Sequence, residues 1–525
     1  MLHDLFHDNE KDVLSIIVLI CLFTPLYLVN IYTFPWQINT DEATLIGVTR
    51  TIAASSPANL FGLSYYAGAP AFIFHIFGWL ENALGGINFF HARLIHAFFG
   101  LATIALSYIF FRFLTGRFIA FSASIILGIN HSFLAISRMA MRDNSAVFIE
   151  LLAFIFLFLG YRTKKLYYAA LAGVCAGLGF YVYYPGRIII FLLFLALIVF
   201  FIKQQSQNER MDIIKIGIVG FFTFLLCITP IAIATMLHTD LTHYQRQQFL
   251  FLPEGRQLNQ QWFATATAGA AIKKNITNGL TMFTNNIQDQ GYIYNNPEHG
   301  FVDPVSGILF LLGFALLFVK KSRSTEETIA LSSLIILWIL FSFMITKAPM
   351  YTRLFIILPF FAYTVVTAIA RFADTATKNP ILQKITISFL LLSIVIANIS
   401  ILHTYWAAGY TKGDELGGTG RYIMEQEAHN NPRVLSIMSN RDYPYFSLND
   451  SIIWQMTWLE GLTNTDRKIM LLESNDFSMI PQPSSILMSQ ITWGQVGAQL
   501  QKMYPTLAIR PLMPDGHIMA IEIGH

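Results

Sequence analysis

The sequence predicts an all-α polytopic membrane protein of about eleven transmembrane helices, with a small C-terminal α/β domain outside the membrane. Three observations carry this. Of 525 residues, 54% are hydrophobic and only 12% charged, against roughly 25% charged in soluble proteins, and the mean hydropathy is +0.53. The apolar residues fall in runs of about 20, the length needed to cross a hydrocarbon core of roughly 30 Å. Between the runs, cations recur in every second connection, as the positive-inside rule demands. The net charge of +3 comes with no basic block or arm, which leaves no electrostatic footprint for nucleic acid and excludes that partner.

Taken in order, the runs lie at 12–34, 90–111, 117–136, 144–161, 166–184, 187–203, 213–237, 304–320, 327–346, 351–371 and 381–403. The first follows Lys11 and ends without a small-residue cleavage pattern, so it is expected to be a retained span rather than a removed signal peptide. With the N-terminus in the cytoplasm, the inner connections carry Arg112 and Arg117, then Arg162, Lys164 and Lys165, then Lys203, Arg210 and Lys215, then Lys320, Lys321 and Arg323, then Arg371, Lys378 and Lys384. An odd number of spans puts the C-terminal region outside, and the expected location is the plasma (cell inner) membrane. Residues 1–403 form the transmembrane domain, with long outer loops at 35–89 and 238–303, and 404–525 is too polar to enter lipid. In that tail, Val434–Met438 and Ile469–Leu472 read as strands and 495–503 as a helix. A hairpin is expected at Pro514-Asp515-Gly516 between 507–512 and 517–523. Cys21, Cys175 and Cys227 sit inside apolar runs without metal or redox spacing and read as small core residues. The sequons Asn275-Ile-Thr277 and Asn449-Asp-Ser451 lie outside, whereas Asn398-Ile-Ser400 lies within a span and is inaccessible.

The informative residues are the ionisable groups at the outer membrane edge, where each needs a physical reason. Asp41 and Glu42 follow the first span behind Thr40, where they are either ordinary acids of a capped helix N-terminus or chemistry-bearing carboxylates. The short second outer loop holds Arg138, Arg142 and Asp143, a local ion pair or a phosphate site at headgroup depth. The third carries Tyr183, Tyr184 and Arg187, the tyrosines also compatible with an interface belt, and the last carries Lys347 and Arg353. Five outer cations from three turns need an anion, which membrane lipid headgroups or a lipid-linked phosphate would supply. Sugar transfer from a lipid phosphate needs a carboxylate to take the acceptor's proton and cations to stabilise the departing phosphate. The rival readings are a multispan transporter or lipid flippase and a non-catalytic scaffold presenting the tail. A transporter calls for ionisable groups deep in several spans, and the runs hold few apart from Glu150 and His96, with no paired Gly/Pro-broken spans.

An Asp-Glu pair soon after the first span, a second loop with Arg and Asp, a Tyr-Tyr-Pro-Gly-Arg turn, and Arg353 six residues before Pro359 together resemble the GT-C glycosyltransferases. The nearest resemblance is to glycosyltransferase family 39, which includes protein O-mannosyltransferases and the lipid A aminoarabinose transferase. It covers about 12–403. It implies an inverting transfer from a polyprenyl-phosphate-linked sugar donor to an acceptor protein, lipid or glycan, without a covalent sugar-enzyme intermediate. Carried over, Asp41 is the base with Glu42 beside it, and Asp143 matches the second-loop acid. Arg138, Arg142, Arg187, Lys347 and Arg353 would hold the donor phosphate, and Tyr183, Tyr184 and Tyr292 would line the pocket. The Trp-Trp-Asp tripeptide of oligosaccharyltransferase catalytic subunits is absent from the sequence. The 238–303 loop, with His243, Arg246, Arg256, Tyr292, Tyr294, Glu298 and His299, is expected to cap the cavity. Asp41, Asp143 and Glu298 have the hard oxygens for a divalent cation, but the abundance of arginines favours a metal-independent reaction with no cofactor.

Overall fold

The computed structural model describes residues 9–35, 40–55, 60–64, 68–238, 247–284, 300–319, 323–412, 422, 434–438, 469–472, 480, 483–511 and 518–524. In chain order the first helices are α1 (Asn9–Leu28), α2 (Thr40–Ala53), α3 (Ala71–Ala83), α4 (Phe89–Leu114), α5 (Arg117–Ile129), α6 (His131–Ser137), α7 (Asp143–Thr163) and α8 (Leu166–Leu178). A 3-10 turn at Tyr184–Ile188 leads into α9 (Ile189–Lys203) and α10 (Gln207–Leu237). The second long outer connection contains α11 (Pro253–Trp262) and α12 (Ala268–Leu280). The last membrane helices are α13 (Pro304–Val319), α14 (Thr325–Phe343), the short α15 (Tyr351–Leu354), α16 (Leu358–Ala376) and α17 (Pro380–Lys412).

Among the described residues, eight helices are long and apolar enough to cross a membrane, or nine if a bent pair counts as one span. The expected count of eleven is therefore not reproduced, and the reason is local. The run at 117–136 breaks into α5 and α6, which meet at 63°. Asn130 sits at the break, where its side chain accepts the Phe133 N–H and caps the new helix, so the first orphan donors of α6 are satisfied without continuing α5. Helices α8 and α13, of 13 and 16 residues, are shorter than the roughly 20 residues of a straight crossing.

Packing follows the chemistry of a lipid-embedded bundle. Helix α10 exposes Phe221, Phe222, Leu226 and Ile218, an apolar face suited to hydrocarbon rather than water. Its inner face meets α8 at small residues: a Cβ on Gly173 would stand 2.0 Å from the Gly220 carbonyl oxygen, so only glycine permits that approach. Helices α16, α5, α7 and α4 form the interior, where Phe110, Phe154, Phe158 and Phe360 interlock. Of the cysteines, Cys175 is buried as expected, but Cys21 is exposed on α1, because it faces away from the bundle. Asn398 is buried: its amide donates to Asp303 and accepts the His131 backbone N–H, tying α17 to the start of α6.

After α17, which runs past the expected boundary at 403, come β1 (Val434–Met438), β2 (Ile469–Leu472), β3 (Ser484–Ser489), α18 (Gln490–Met503), β4 (Ala508–Pro511) and β5 (Ile518–Ile523). The sheet order is β2-β1-β3-β5-β4, with β1 parallel to β2 and β3, and β5 antiparallel to β3 and β4. The two expected strands, an antiparallel β4–β5 pair and the helix are present, while the expected turn at Pro514-Asp515-Gly516 lies outside the described residues; β3, at the sheet's centre, is a strand the sequence did not signal. Its Ser-Ser-Ile-Leu-Met-Ser sequence is buried through Met488, so it shows no alternation of the kind a half-buried strand would.

Candidate active site

The site is assembled where four separate segments meet at the end of the bundle where α2 and α7 begin. Helix α2 begins just after α1 and carries Asp41 and Glu42 in its first turn, where the helix macrodipole favours negative charge. The two acids then diverge. Glu42 is fully buried and bonded through both oxygens to Arg93, Nε at 2.7 Å and Nη2 at 2.9 Å, and it also accepts the Ala140 backbone N–H at 2.8 Å. Arg93 spends its remaining donor Nη1 on the Ile31 and Pro35 carbonyls. Glu42 is thus sealed into an ion pair that pins the start of α2 to α4, while Asp41 is half-buried and close enough to Asp143 for their charges to interact.

Asp143 opens α7 and is buried, yet neither of its carboxylate oxygens has a hydrogen-bond partner among the described residues. It lies within electrostatic reach of Arg142 and Arg353 as well as Asp41. The Arg142 guanidinium sits 5.4 Å from the Phe74 and Tyr183 rings and 5.8 Å from Tyr184, an aromatic cage for a cation. The Tyr-Tyr-Pro-Gly-Arg turn supplies the far wall. Gly186 lets it fold back, since a Cβ there would stand 2.6 Å from the Gly179 carbonyl oxygen. Arg187 then lies 5.2 Å from the Tyr184 ring and within electrostatic reach of Arg142. Arg142, Tyr184 and Arg187 line one small cleft. Tyr183 donates to Thr352 at 3.2 Å, and burial, followed by the charge of Asp143, holds its phenol above its ordinary range.

Arg353 completes the group. It is buried, Nη2 donates to the Gln248 amide oxygen at 2.5 Å, and Nη1 has no hydrogen-bond partner among the described residues. Gln248 is held there because the outer loop pairs with the α14–α15 connection: Leu250 N–H donates to Met344, Thr346 N–H to Gln248, and Phe249 bridges Ile345.

Two expected phosphate-binding cations serve elsewhere. Arg138 is buried and donates to the carbonyls of Leu26, Val29 and Phe34, so it caps the C-terminal end of α1, where carbonyls lack helical partners. Lys347 lies 3.9 Å from the Trp262 ring of α11, packing against the outer loop. Asn275 is also corrected: it is fully buried, accepting from Asn259 and Ala348 and donating to Ile345, which leaves no accessible amide for glycosylation. Tyr292, together with His243, Arg246, Tyr294, Glu298, His299 and the Asn449 sequon, lies outside the described residues. Among those described, no three His, Cys, Asp or Glu side chains converge as a metal site. Sequence reasoning missed Arg93, whose signal was an arginine near the start of an apolar span, and Gln248, for which no local signal exists.

Residues 18–245 match the family model for dolichyl-phosphate-mannose-protein mannosyltransferase. No curated protein sequence matches the chain. Among solved structures, ArnT from Cupriavidus metallidurans bound to undecaprenyl phosphate is similar in fold, with a TM-score of 0.54 and 14% identity, over 96% of this chain and 97% of that one. The archaeal oligosaccharyltransferase AglB from Archaeoglobus fulgidus, in complex with an inhibitory peptide and a dolichol-phosphate, has a TM-score of 0.51 and 15% identity over 87% of this chain and 64% of that one. The family match runs from α1 past α10, and the likeness in fold to ArnT extends over nearly the whole of this multi-pass membrane protein.

Proposed function

We propose that the protein is an inverting glycosyltransferase that moves a sugar from a polyprenyl-phosphate donor to an acceptor at the outer face of the membrane. The observation that carries this reading is the convergence of Asp41, Asp143, Arg142 and Arg353 from α2, α7 and α15 onto one point. The Asp41 carboxylate accepts the proton of the acceptor's hydroxyl as that oxygen attacks the anomeric carbon. The bond from that carbon to the phosphate oxygen breaks, its electron pair stays on the phosphate, and the anomeric centre inverts without a covalent enzyme intermediate. Arg142, Arg187 and Arg353 neutralise the developing phosphate charge; the open Nη1 of Arg353 and the forked geometry of guanidinium suit phosphate oxygens. Asp143 sets the local charge and fixes where the cations sit. Glu42 belongs to the scaffold, and Arg138 and Lys347 support the loops around the site.

The reading places the chain in the cell inner membrane with the cation-bearing connections in the cytoplasm and the C-terminal sheet outside. It requires no metal, because the arginines supply the countercharge. The transport alternative finds no support, since the matched family and the similar folds are those of transferases. The test is transfer from a polyprenyl-phosphate sugar by purified protein in EDTA. Asp41→Asn is expected to lower turnover by roughly 10³-fold or more while donor binding survives, and full turnover by that variant removes Asp41 from the mechanism.

A further inference from the structure

The short segment 301–303, which leads into α13, touches both arms that carry the phosphate-binding arginines. Phe301 is buried, and its ring lies 5.1 Å from Tyr351 and 5.9 Å from Phe355, on the arm where Arg353 follows Tyr351 by two residues. Its carbonyl accepts the Ser132 hydroxyl of α6 at 2.8 Å, and α6 leads through Arg138 to Arg142 and Asp143. The Phe133 ring of α6, 6.3 Å from Phe355, adds an apolar contact between the same arms. Asp303 is buried at the start of α13, where the macrodipole favours its charge. One of its oxygens accepts the Ser306 N–H at 2.9 Å and the other the Asn398 amide at 2.7 Å. Asn398 Oδ1 accepts the His131 N–H at 2.9 Å, and Nδ2 also donates to the Ile394 carbonyl at 2.9 Å. A buried amide within an apolar helix is costly unless it is bonded across to other elements. Here it is bonded to the first residue of α6. Because α6 breaks from α5 at 63°, no continuous helix sets its direction, and its contacts must.

We infer that Asn398 is a positioning residue: acting through Asp303 and α6, it sets the separation of Arg142 and Arg353 at which a lipid phosphate is held. The inference rests on the transferase reading above, which gives those two arginines to the phosphate. They come from different elements, the α6–α7 turn and α15, so their spacing is a property of whatever joins the two arms. Segment 301–303 is that joint, with the Phe301 ring on one arm and the Phe301 carbonyl on the other. Charge-assisted bonds from a rigid guanidinium fork are directional, and a drift of about 1 Å in a binding constellation is enough to weaken it severely.

The experiment measures binding of polyprenyl phosphate to the full chain in detergent, well below each variant's own thermal midpoint, so that folded protein alone is compared. Asn398→Leu is expected to weaken binding about tenfold. The exchange of Asn398→Asp together with Asp303→Asn keeps the bonds to His131 and Ser306 and the bond between the two side chains, with donor and acceptor reversed. It should bind within about threefold of the wild type. Ser132→Ala, which removes only the hydroxyl on Phe301, should weaken binding about threefold and carries the test should the leucine variant fail to fold. Glu327→Ala, which removes the capping box of α14, is the control: its midpoint should fall with affinity unchanged. Wild-type affinity in folded Asn398→Leu and Ser132→Ala, with lowered midpoints alone, would make Asn398 a purely structural tie and overturn the inference, as would an exchanged pair that binds no better than the leucine variant. Failure of the wild type to bind polyprenyl phosphate contradicts the transferase reading instead.

Discussion

The two ends of the bundle solve the same electrostatic problem in opposite ways. At the end where α1 begins, Asp12 is fully buried, and its carboxylate accepts from Tyr108 at 2.5 Å, from Arg112 Nε at 2.9 Å and from Arg117 Nε at 3.3 Å. Every charge there has a protein counterpart, and the cluster fastens α1 to α4 and α5. At the opposite end, Asp143 and Arg353 are also buried, yet both Asp143 oxygens and Arg353 Nη1 lack hydrogen-bond partners among the described residues. A satisfied buried cluster is structure; an unsatisfied one calls for a partner from outside the chain, water or a ligand. Within a single dipeptide, Glu42 is fully buried and bonded to Arg93 and Ala140, while Asp41 is half-buried within electrostatic reach of Asp143.

This comparison can be broken by substitutions at either end. Arg93→Met is expected to have the largest effect on the scaffold. Removing one member of a fully buried pair leaves Glu42 charged and uncompensated, which costs about 3–5 kcal/mol. It should be read as a drop in the thermal midpoint in detergent, with lipid-phosphate binding lost only as the fold is lost. Arg353→Met should do the reverse. Stability should fall by only about 1–3 kcal/mol, the cost of stranding the Gln248 amide oxygen, while affinity for a polyprenyl phosphate falls roughly tenfold to a hundredfold through loss of the Nη1 charge-assisted contact. A midpoint that collapses in Arg353→Met, with binding unchanged in whatever folds, would reverse the assignment of the two arginines.

The smallest effect concerns pH. Glu81 has an ordinary carboxyl value of 4.5 and is raised to about 8 by burial. A carboxyl raised on folding contributes stability that is fully present below its unfolded value and is lost as pH rises through the folded one. Stability of the wild type should therefore decline between about pH 4.5 and 8 relative to Glu81→Gln, which has no such dependence. The charged and titratable neighbours that bear on this are Arg50 of α2, His96 of α4 and Arg142. Parallel melting curves for the two proteins across that range, with no divergence, would show that Glu81 is not held neutral.

How much of this was legible in the sequence follows from what one-dimensional information contains. Apolar length reveals spans, so the membrane class could be read, and the alternating cations give the expectation that Asp41, Asp143, Arg142, Arg187 and Arg353 share the outer side. Which way a side chain turns within a connection is a tertiary fact. Arg138 and Arg142 are four residues apart, yet one caps the end of α1 and the other faces the Tyr183 ring. Lys347 stands beside the site in sequence but packs on Trp262, a residue 85 positions earlier. Gln248 comes to Arg353 only because the outer loop pairs with the α14–α15 connection, a long-range contact without a local signature. The break at Asn130 is different: an asparagine within an apolar run is a visible capping signal, which span counting by length alone passes over.

The central claim is that the outer cluster is built around a lipid-linked sugar phosphate, with Asp41 as the group that starts its transfer. Mass spectrometry of the lipids that co-purify with Asp41→Asn in mild detergent tests it most directly, because a variant that binds but does not turn over retains its donor. The account predicts a polyprenyl phosphate bearing one sugar, enriched over the wild type. Recovery of bulk phospholipid alone would contradict it.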